Sequence, residues 1–227
     1  MTRRLLLVRH GVTTWNREGR FQGHRDPPLD AAGELEARLL ADRLVVEEPD
    51  PIRIVTSPLQ RAAATAAALA AALEHAGRPP ELTSDPRLME IGQGEWEGRT
   101  HAELVLSDPV RYAAWRRSGA TTTPPGGEAI EAARQRVVAA LDELTRDEGG
   151  PMCLVSHGGI LRLAGGHLLG LVLRRAWSLD VDNASLSRLT RGTDSEGWRI
   201  DAWNDTGHLL GHTTLHQDEA EGQPLAL

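Results

Sequence analysis

The chain holds 227 residues, 40% of them hydrophobic, which is enough for one domain with a sizeable core. Its formal net charge of -7 argues against a broad nucleic-acid or acidic-membrane surface and leaves room for a local cationic pocket. All 25 residues of the Lys+Arg count are arginine, and the lack of lysine removes the usual P-loop nucleotidases and Schiff-base enzymes from consideration.

A first strand is predicted over 3–8, where the run Leu5-Leu6-Leu7-Val8 ends in Arg9-His10-Gly11. That run is too short for a signal peptide, and no stretch of about 18 apolar residues points to a membrane span, so a cytoplasmic location is expected. Leu35, Leu39, Leu40 and Leu44 at helical spacing predict a helix over 31–48, with Asp30 as its N-cap. A strand over 52–56 precedes an alanine-rich helix over 58–76, opened by Ser57-Pro58 and stopped by Gly77 and Pro79-Pro80. The strand at 81–84 runs into a long excursion, 85–127, rich in Trp, Arg, Gly and Pro; such connections are usually lids or binding loops, and substrate selection is expected there.

An amphipathic helix is predicted over 128–147, then a buried strand over 152–156 that carries the single cysteine, Cys153, which excludes a disulfide framework. This strand ends in Ser156-His157-Gly158-Gly159 and opens a helix over 159–171. Strands over 185–190 and 198–203, joined by a hairpin loop at 191–197, imply an antiparallel edge. The alternation predicts an α/β fold: a three-layer α/β/α sandwich around a mostly parallel sheet of about six strands. One domain is expected over 1–216, with a frayed polar tail at 217–227.

Both His-Gly pairs follow apolar strands, where open α/β sheets place their ligands. The glycines let backbone N–H groups approach an anion, and arginine forks match phosphate oxygens. A histidine that attacks phosphorus needs a neutral ring nitrogen, cations on the equatorial oxygens and an acid for the leaving alkoxide. Candidates for all three are present: His10 and His157, Arg9 and Arg61, and Glu90 at the start of the excursion. No Asp/Glu/His cluster shows metal-ligand spacing, and no cofactor motif is found.

In this order the motifs resemble the histidine phosphatase superfamily, also called phosphoglycerate mutase-like. The matching stretches are Leu7 to Asn16, Phe21-Gln22-Gly23-His24-Arg25-Asp26 with Leu29, Thr56-Ser57-Pro58-Leu59-Gln60-Arg61-Ala62, Leu88 to Gly98, Pro125-Gly126-Gly127-Glu128 and Val155 to Gly159. The resemblance implies a phosphoglycerate mutase-like fold and a metal-independent reaction. It implies His10 as the nucleophile that becomes a phosphohistidine, Arg9, Arg61 and His157 as binders of the transferring group, and Glu90 as general acid and then base. Asn16, Gln22, Gly23 and Gly158 match positions that line the phosphate pocket. Glu90-Ile91-Gly92-Gln93-Gly94, followed by Glu95-Trp96-Glu97-Gly98, is similar to the phosphatase branch rather than to cofactor-dependent mutases, which implies water as acceptor. The ending Trp198 to Asn204 resembles glucosyl-phosphoglycerate phosphatases, and the Glu-Trp-Glu-Gly segment is also found in α-ribazole phosphatases; neither assigns a substrate.

The expected partner is a small phosphorylated metabolite, with neither nucleic acid nor membrane, and homodimers are common in the family. A phosphoglycerate mutase is the first alternative, and a binding module without catalysis is the second. Several residues keep two readings. Asn16 fits a turn cap or a ligand contact, and His24 and Arg25 a substrate contact or a solvated loop. Arg116 and Arg117 with Tyr112 and Trp115 fit a lid or, better, a solvated helix face, while the tryptophans read first as packing residues. His208, His212 and His216 are spaced for one helix face, but their neighbours Gly207, Gly211, Thr213 and Thr214 make a poor helix, against a metal site.

Overall fold

The computed structural model describes residues 3–50, 52–118, 122–146, 150–192 and 197–212. The expected tail at 217–227, part of the 191–197 loop and His216 lie outside the described residues. Six strands form one sheet: β1 (Arg3–Arg9), β2 (Arg53–Thr56), β3 (Glu81–Ser84), β4 (Met152–Ser156), β5 (Leu186–Arg191) and β6 (Arg199–Asp205), in the order β3-β2-β4-β1-β5-β6. The first four are mutually parallel, whereas β5 runs antiparallel to β1 and β6 antiparallel to β5, as the hairpin predicted.

Alternate strand residues face opposite layers. Leu5, Leu7, Val55, Met152 and Leu154 meet α6 (Ile130–Leu144) and α7 (Gly158–Leu168) on one side. Leu6, Val8, Ile54, Cys153 and Val155 meet α2 (Ala31–Glu47) and α3 (Gln60–His75) on the other. Asp30 caps α2 as expected, its carboxylate accepting the Gly33 N–H at 2.9 Å. Short helices α1 (Thr14–Arg17) and α8 (Leu173–Ala176) lie in the connections after β1 and α7.

One expectation needs correction. Helix α3 begins at Gln60, not at 58: the Ser57 hydroxyl accepts the Leu59 N–H at 3.3 Å while Leu59 keeps an extended backbone, so the first turn is delayed. The excursion over 85–127 is partly helical. It carries α4 (His101–Ser107), started by a Thr100/Glu103 capping box, and α5 (Pro109–Ser118), and Trp96, Leu104, Tyr112 and Trp115 pack with Phe21 into a separate aromatic core. Arg116 and Arg117 stay exposed on α5. At the histidine triplet the poor helix expected from its glycines and threonines is what is seen: Gly207–Leu209 is one 3-10 turn with His212 beyond it, so His208 and His212 share no helix. His208 is instead drawn against Arg43.

Candidate active site

Parallel pairing of β1 with β4 sets Arg9 opposite Ser156, so the next residues, His10 and His157, emerge side by side. The His10 N–H donates to the Ser156 carbonyl at 3.0 Å, and the two rings stand 5.1 Å apart, inclined by 60°. The neighbouring strands end in the same crevice. Ser57 follows β2, with its N–H on the Val155 carbonyl, and the chain beyond β3 leads through Asp85 to Glu90.

Both rings are buried, at 2% and 0% exposure. Burial, then the nearby Arg61 and Arg9 charges, holds the His10 pKa well below its ordinary value, so the ring is neutral at pH 7. Its Nδ1 lies 2.7 Å from the Gly11 carbonyl, which can only accept. Nδ1 therefore carries the proton and Nε2 the lone pair. His157 is held neutral in the same way, by burial first and then by Arg61. Its Nε2 meets the Ser57 hydroxyl at 2.8 Å.

Arg61, the second residue of α3, is fully buried and aimed by two carbonyls: Nη1 donates to Arg25 at 2.9 Å and Nη2 to Gly23 at 3.0 Å. Burial pulls its pKa down to about 10, still leaving it cationic at pH 7. Arg9 is 5% exposed and donates from Nη1 to the Val181 carbonyl at 2.7 Å. Gly158 sits between two guanidinium groups, since a Cβ there would stand 3.5 Å from Arg9 and 3.6 Å from Arg162. Arg162, buried on α7 with Nε on the Leu179 carbonyl, also has its pKa lowered to about 10 by burial and by Arg9. Asp26 stands 3.8 Å from Arg61, and Glu90 acts on both Arg61 and Arg162; the guanidinium forks that converge here match the oxygens of a phosphoryl group.

Glu90 is the carboxylate at this crevice. Its Oε2 accepts the Gly159 N–H from the first turn of α7 at 3.2 Å, and its Oε1 accepts the Ile91 N–H at 2.9 Å. Its carbonyl accepts from His24 Nε2 at 2.9 Å and from Arg136 Nη2 at 3.1 Å. Glu97 is committed elsewhere, accepting the N–H groups of His24 and Gln93, and Glu95 is exposed.

Of the residues expected to line the pocket, Gly23 presents its carbonyl to Arg61 and has a left-handed φ of 52°, and Gln22 is buried with Oε1 accepting from the Thr13 hydroxyl. Asn16 closes a capping box with Thr13, and its Oδ1 is also reached by Asn183 Nδ2 at 3.4 Å. The cap geometry is thus present at Asn16, and it is compatible with a ligand contact. His24 supports Glu90 through its carbonyl, while Arg25 is exposed.

Sequence reasoning gave no place in the site to Ser57, Arg136, Arg162 and Asn183. Arg162 was detectable as a lone charge in the apolar run Ile160-Leu161-Arg162-Leu163, and Glu128, the partner of Arg136, stood at the end of a quoted motif. Among the described residues, no group of three or more His, Cys, Asp or Glu side chains is placed to hold a metal ion. No described helix is long and apolar enough to cross a membrane.

A model of the histidine phosphatase superfamily (branch 1) matches residues 5–206. Glucosyl-3-phosphoglycerate phosphatase of Mycolicibacterium vanbaalenii is 34% identical over 226 residues, covering 91% of this chain and 96% of that protein. The metal-independent phosphoserine phosphatase of Arabidopsis thaliana is 33% identical over 208 residues, covering 90% of this chain and 82% of that one. Among solved structures, a mycobacterial glucosyl-3-phosphoglycerate phosphatase in complex with VO3 matches with a TM-score of 0.77 and 35% identity, covering 89% of this chain and 98% of that one.

Proposed function

Since the chain belongs to the histidine phosphatase superfamily and is a phosphoric monoester hydrolase, we propose that it cleaves its substrate in two steps through a phosphohistidine on His10. The observation that carries this reading is the His10 ring itself: neutral, with Nδ1–H tied to Gly11 and a lone pair on Nε2, 5.1 Å from a second neutral imidazole and beside buried arginines. In the first step the Nε2 lone pair forms the N–P bond as the ester P–O bond breaks, and the departing oxygen takes a proton from the Glu90 carboxyl. In the second, Glu90 as carboxylate takes a proton from water, the water oxygen attacks phosphorus, and the P–N bond breaks to return neutral His10.

Arg9, Arg61 and His157 hold the non-bridging oxygens in this scheme, with Gln22, Gly23, Asn16 and the Gly158 N–H completing the pocket wall. The reaction needs only these side chains, a reading supported by the name of the Arabidopsis relative, which is metal-independent. Residues 1–216 act as one catalytic domain on this reading, in the cytoplasm. The mycobacterial relatives direct attention to small phosphorylated metabolites of the sugar-phosphoglycerate type.

Two measurements test the reading. Rapid quench into alkaline detergent with a labelled monoester traps phosphate on protein, since the P–N bond survives base and breaks in acid, and His10→Ala abolishes both trapping and turnover; turnover surviving in that variant sinks it. Product analysis with 3-phosphoglycerate separates released phosphate, expected here, from the isomer a mutase makes.

A further inference from the structure

The crevice contains one buried hydroxyl for which the two-step scheme has no use. Ser57, at the end of β2, is fully buried. Its Oγ accepts the Leu59 N–H at 3.3 Å and lies 2.8 Å from Nε2 of His157. Two proton arrangements satisfy those distances, and they have opposite consequences for the ring.

In one, His157 Nε2–H donates to Ser57. The Oγ then accepts twice, its own proton has no acceptor among the described residues, and Nδ1 is a bare lone pair. In the other, the Ser57 hydroxyl donates to Nε2 while Oγ keeps the Leu59 N–H, so both groups at Ser57 are satisfied. Nδ1 must then carry the ring proton, because which nitrogen is protonated is set by the bond the other makes. Nδ1 is buried and has no hydrogen-bond partner among the described residues. A donor there awaits an acceptor, whereas a lone pair there would repel a phosphoryl oxygen.

We propose that Ser57 is a positioning residue that fixes His157 as the Nδ1–H tautomer, so that His157 donates a hydrogen bond to a non-bridging phosphoryl oxygen and cannot itself act as nucleophile through that atom. This inference rests on the phosphohistidine reading of His10 and adds a division of labour to it. Gly11 holds the Nδ1–H of His10, so His10 turns a lone pair to the substrate; Ser57 holds the Nε2 of His157, so His157 turns a proton. Two like side chains, adjacent through strand register, thereby take opposite roles at one phosphorus. Burial and the Arg61 charge, which keep both rings neutral, agree with a single proton on each.

The test is the tautomer, read directly. In the full-length protein labelled with 15N-histidine, two-bond 1H–15N correlation spectra at neutral pH report which ring nitrogen is protonated, with His10→Ala and His157→Asn spectra supplying the assignments. Wild-type His157 is expected to show a protonated Nδ1 and an unprotonated Nε2. Ser57→Ala is expected to lose that pattern at His157 alone, with kcat/KM falling about tenfold, mostly in kcat, and Ser57→Thr to retain the pattern. A wild-type His157 protonated at Nε2, or at both nitrogens, overturns the proposal without recourse to any Ser57 variant. So does a Ser57→Ala protein whose His157 keeps the wild-type pattern. Alkaline-quench trapping is a separate readout: its failure removes the phosphohistidine and leaves the tautomer result standing.

Discussion

Arg136 holds Glu90 by its backbone and leaves its carboxylate alone. One guanidinium nitrogen, Nη2, donates to the Glu90 carbonyl at 3.1 Å and to Glu128 at 2.8 Å, while Nε donates to the other Glu128 oxygen at 2.7 Å. Glu128 in turn accepts the Gly92 N–H at 3.2 Å, and Nη1 of Arg136 takes the Arg87 carbonyl at 2.6 Å. The segment carrying Glu90 is thus clamped from α6, on both sides of the residue, by a bidentate ion pair of half-buried groups.

Arg136→Ala should therefore act on the proton-transfer geometry more than on phosphate binding. The expected loss is about one to two powers of ten in kcat, with the inhibition constant for inorganic phosphate changed less than about threefold. Steady-state kinetics with phosphate as competitor checks both, and a loss confined to phosphate affinity would contradict the clamp.

Gly159 makes a sharper prediction. A Cβ at this position would stand 2.7 Å from Glu90 Oε1 and 2.8 Å from Ile91 Cδ1, so Gly159→Ala must push the carboxylate out of place. A shift near 1 Å costs about a hundredfold in rate. Gly33→Ala is the control for a purely structural clash, because its Cβ would meet the Val12 carbonyl at 2.0 Å, backbone against backbone. That variant should lose about 3 kcal/mol of stability, whereas Gly159→Ala loses activity at nearly unchanged melting temperature.

These clamps explain which parts could be read from the chain alone. Strands announce themselves through short apolar runs, so the ends carrying His10 and His157 were visible, and strand-end glycines pointed to an anion. Register was not visible, because the pairing of Arg9 with Ser156 joins residues from opposite parts of the chain. Arg136 read as one more charge on an amphipathic helix, since a helical pattern cannot tell a cation facing water from one facing a neighbouring carbonyl. Helix α4 was missed and α5 was read only as a solvated helix face, for a related reason: their order comes from Tyr112 and Trp115 packing on Phe21, far earlier in the chain, and propensity records nothing of that contact.

Glu90 as general acid predicts a dependence on leaving group. Loss of the proton donor penalises an alkyl phosphate, whose alkoxide leaves poorly, far more than an aryl phosphate, whose phenolate leaves unaided. Glu90→Ala should lose about a thousandfold in kcat/KM on an alkyl ester and about tenfold or less on an activated aryl ester. Equal losses on the two substrates would remove Glu90 from that role.

The buried histidines also make stability depend on pH, with a definite sign. His10 and His157 have pKa values held well below 6.5 by burial and by the arginines, and His101 and His208 are lowered to about 4, chiefly by burial. In the unfolded chain all four titrate near 6.5, so below that pH the unfolded state binds protons that the native state refuses. Stability is therefore full above about pH 7 and is lost as pH falls through 6.5 toward 4. Glu48 works in the opposite direction, since burial raises its pKa and its native form takes up a proton early, but it is one group against four. Urea midpoints measured from pH 8 to pH 4 should fall continuously below pH 6.5, and His101→Asn should flatten the slope. A curve level between pH 7 and pH 5 would show that these rings take up protons in the native protein as readily as in the unfolded chain, which would deprive His10 of its lone pair as pH falls below 6.5.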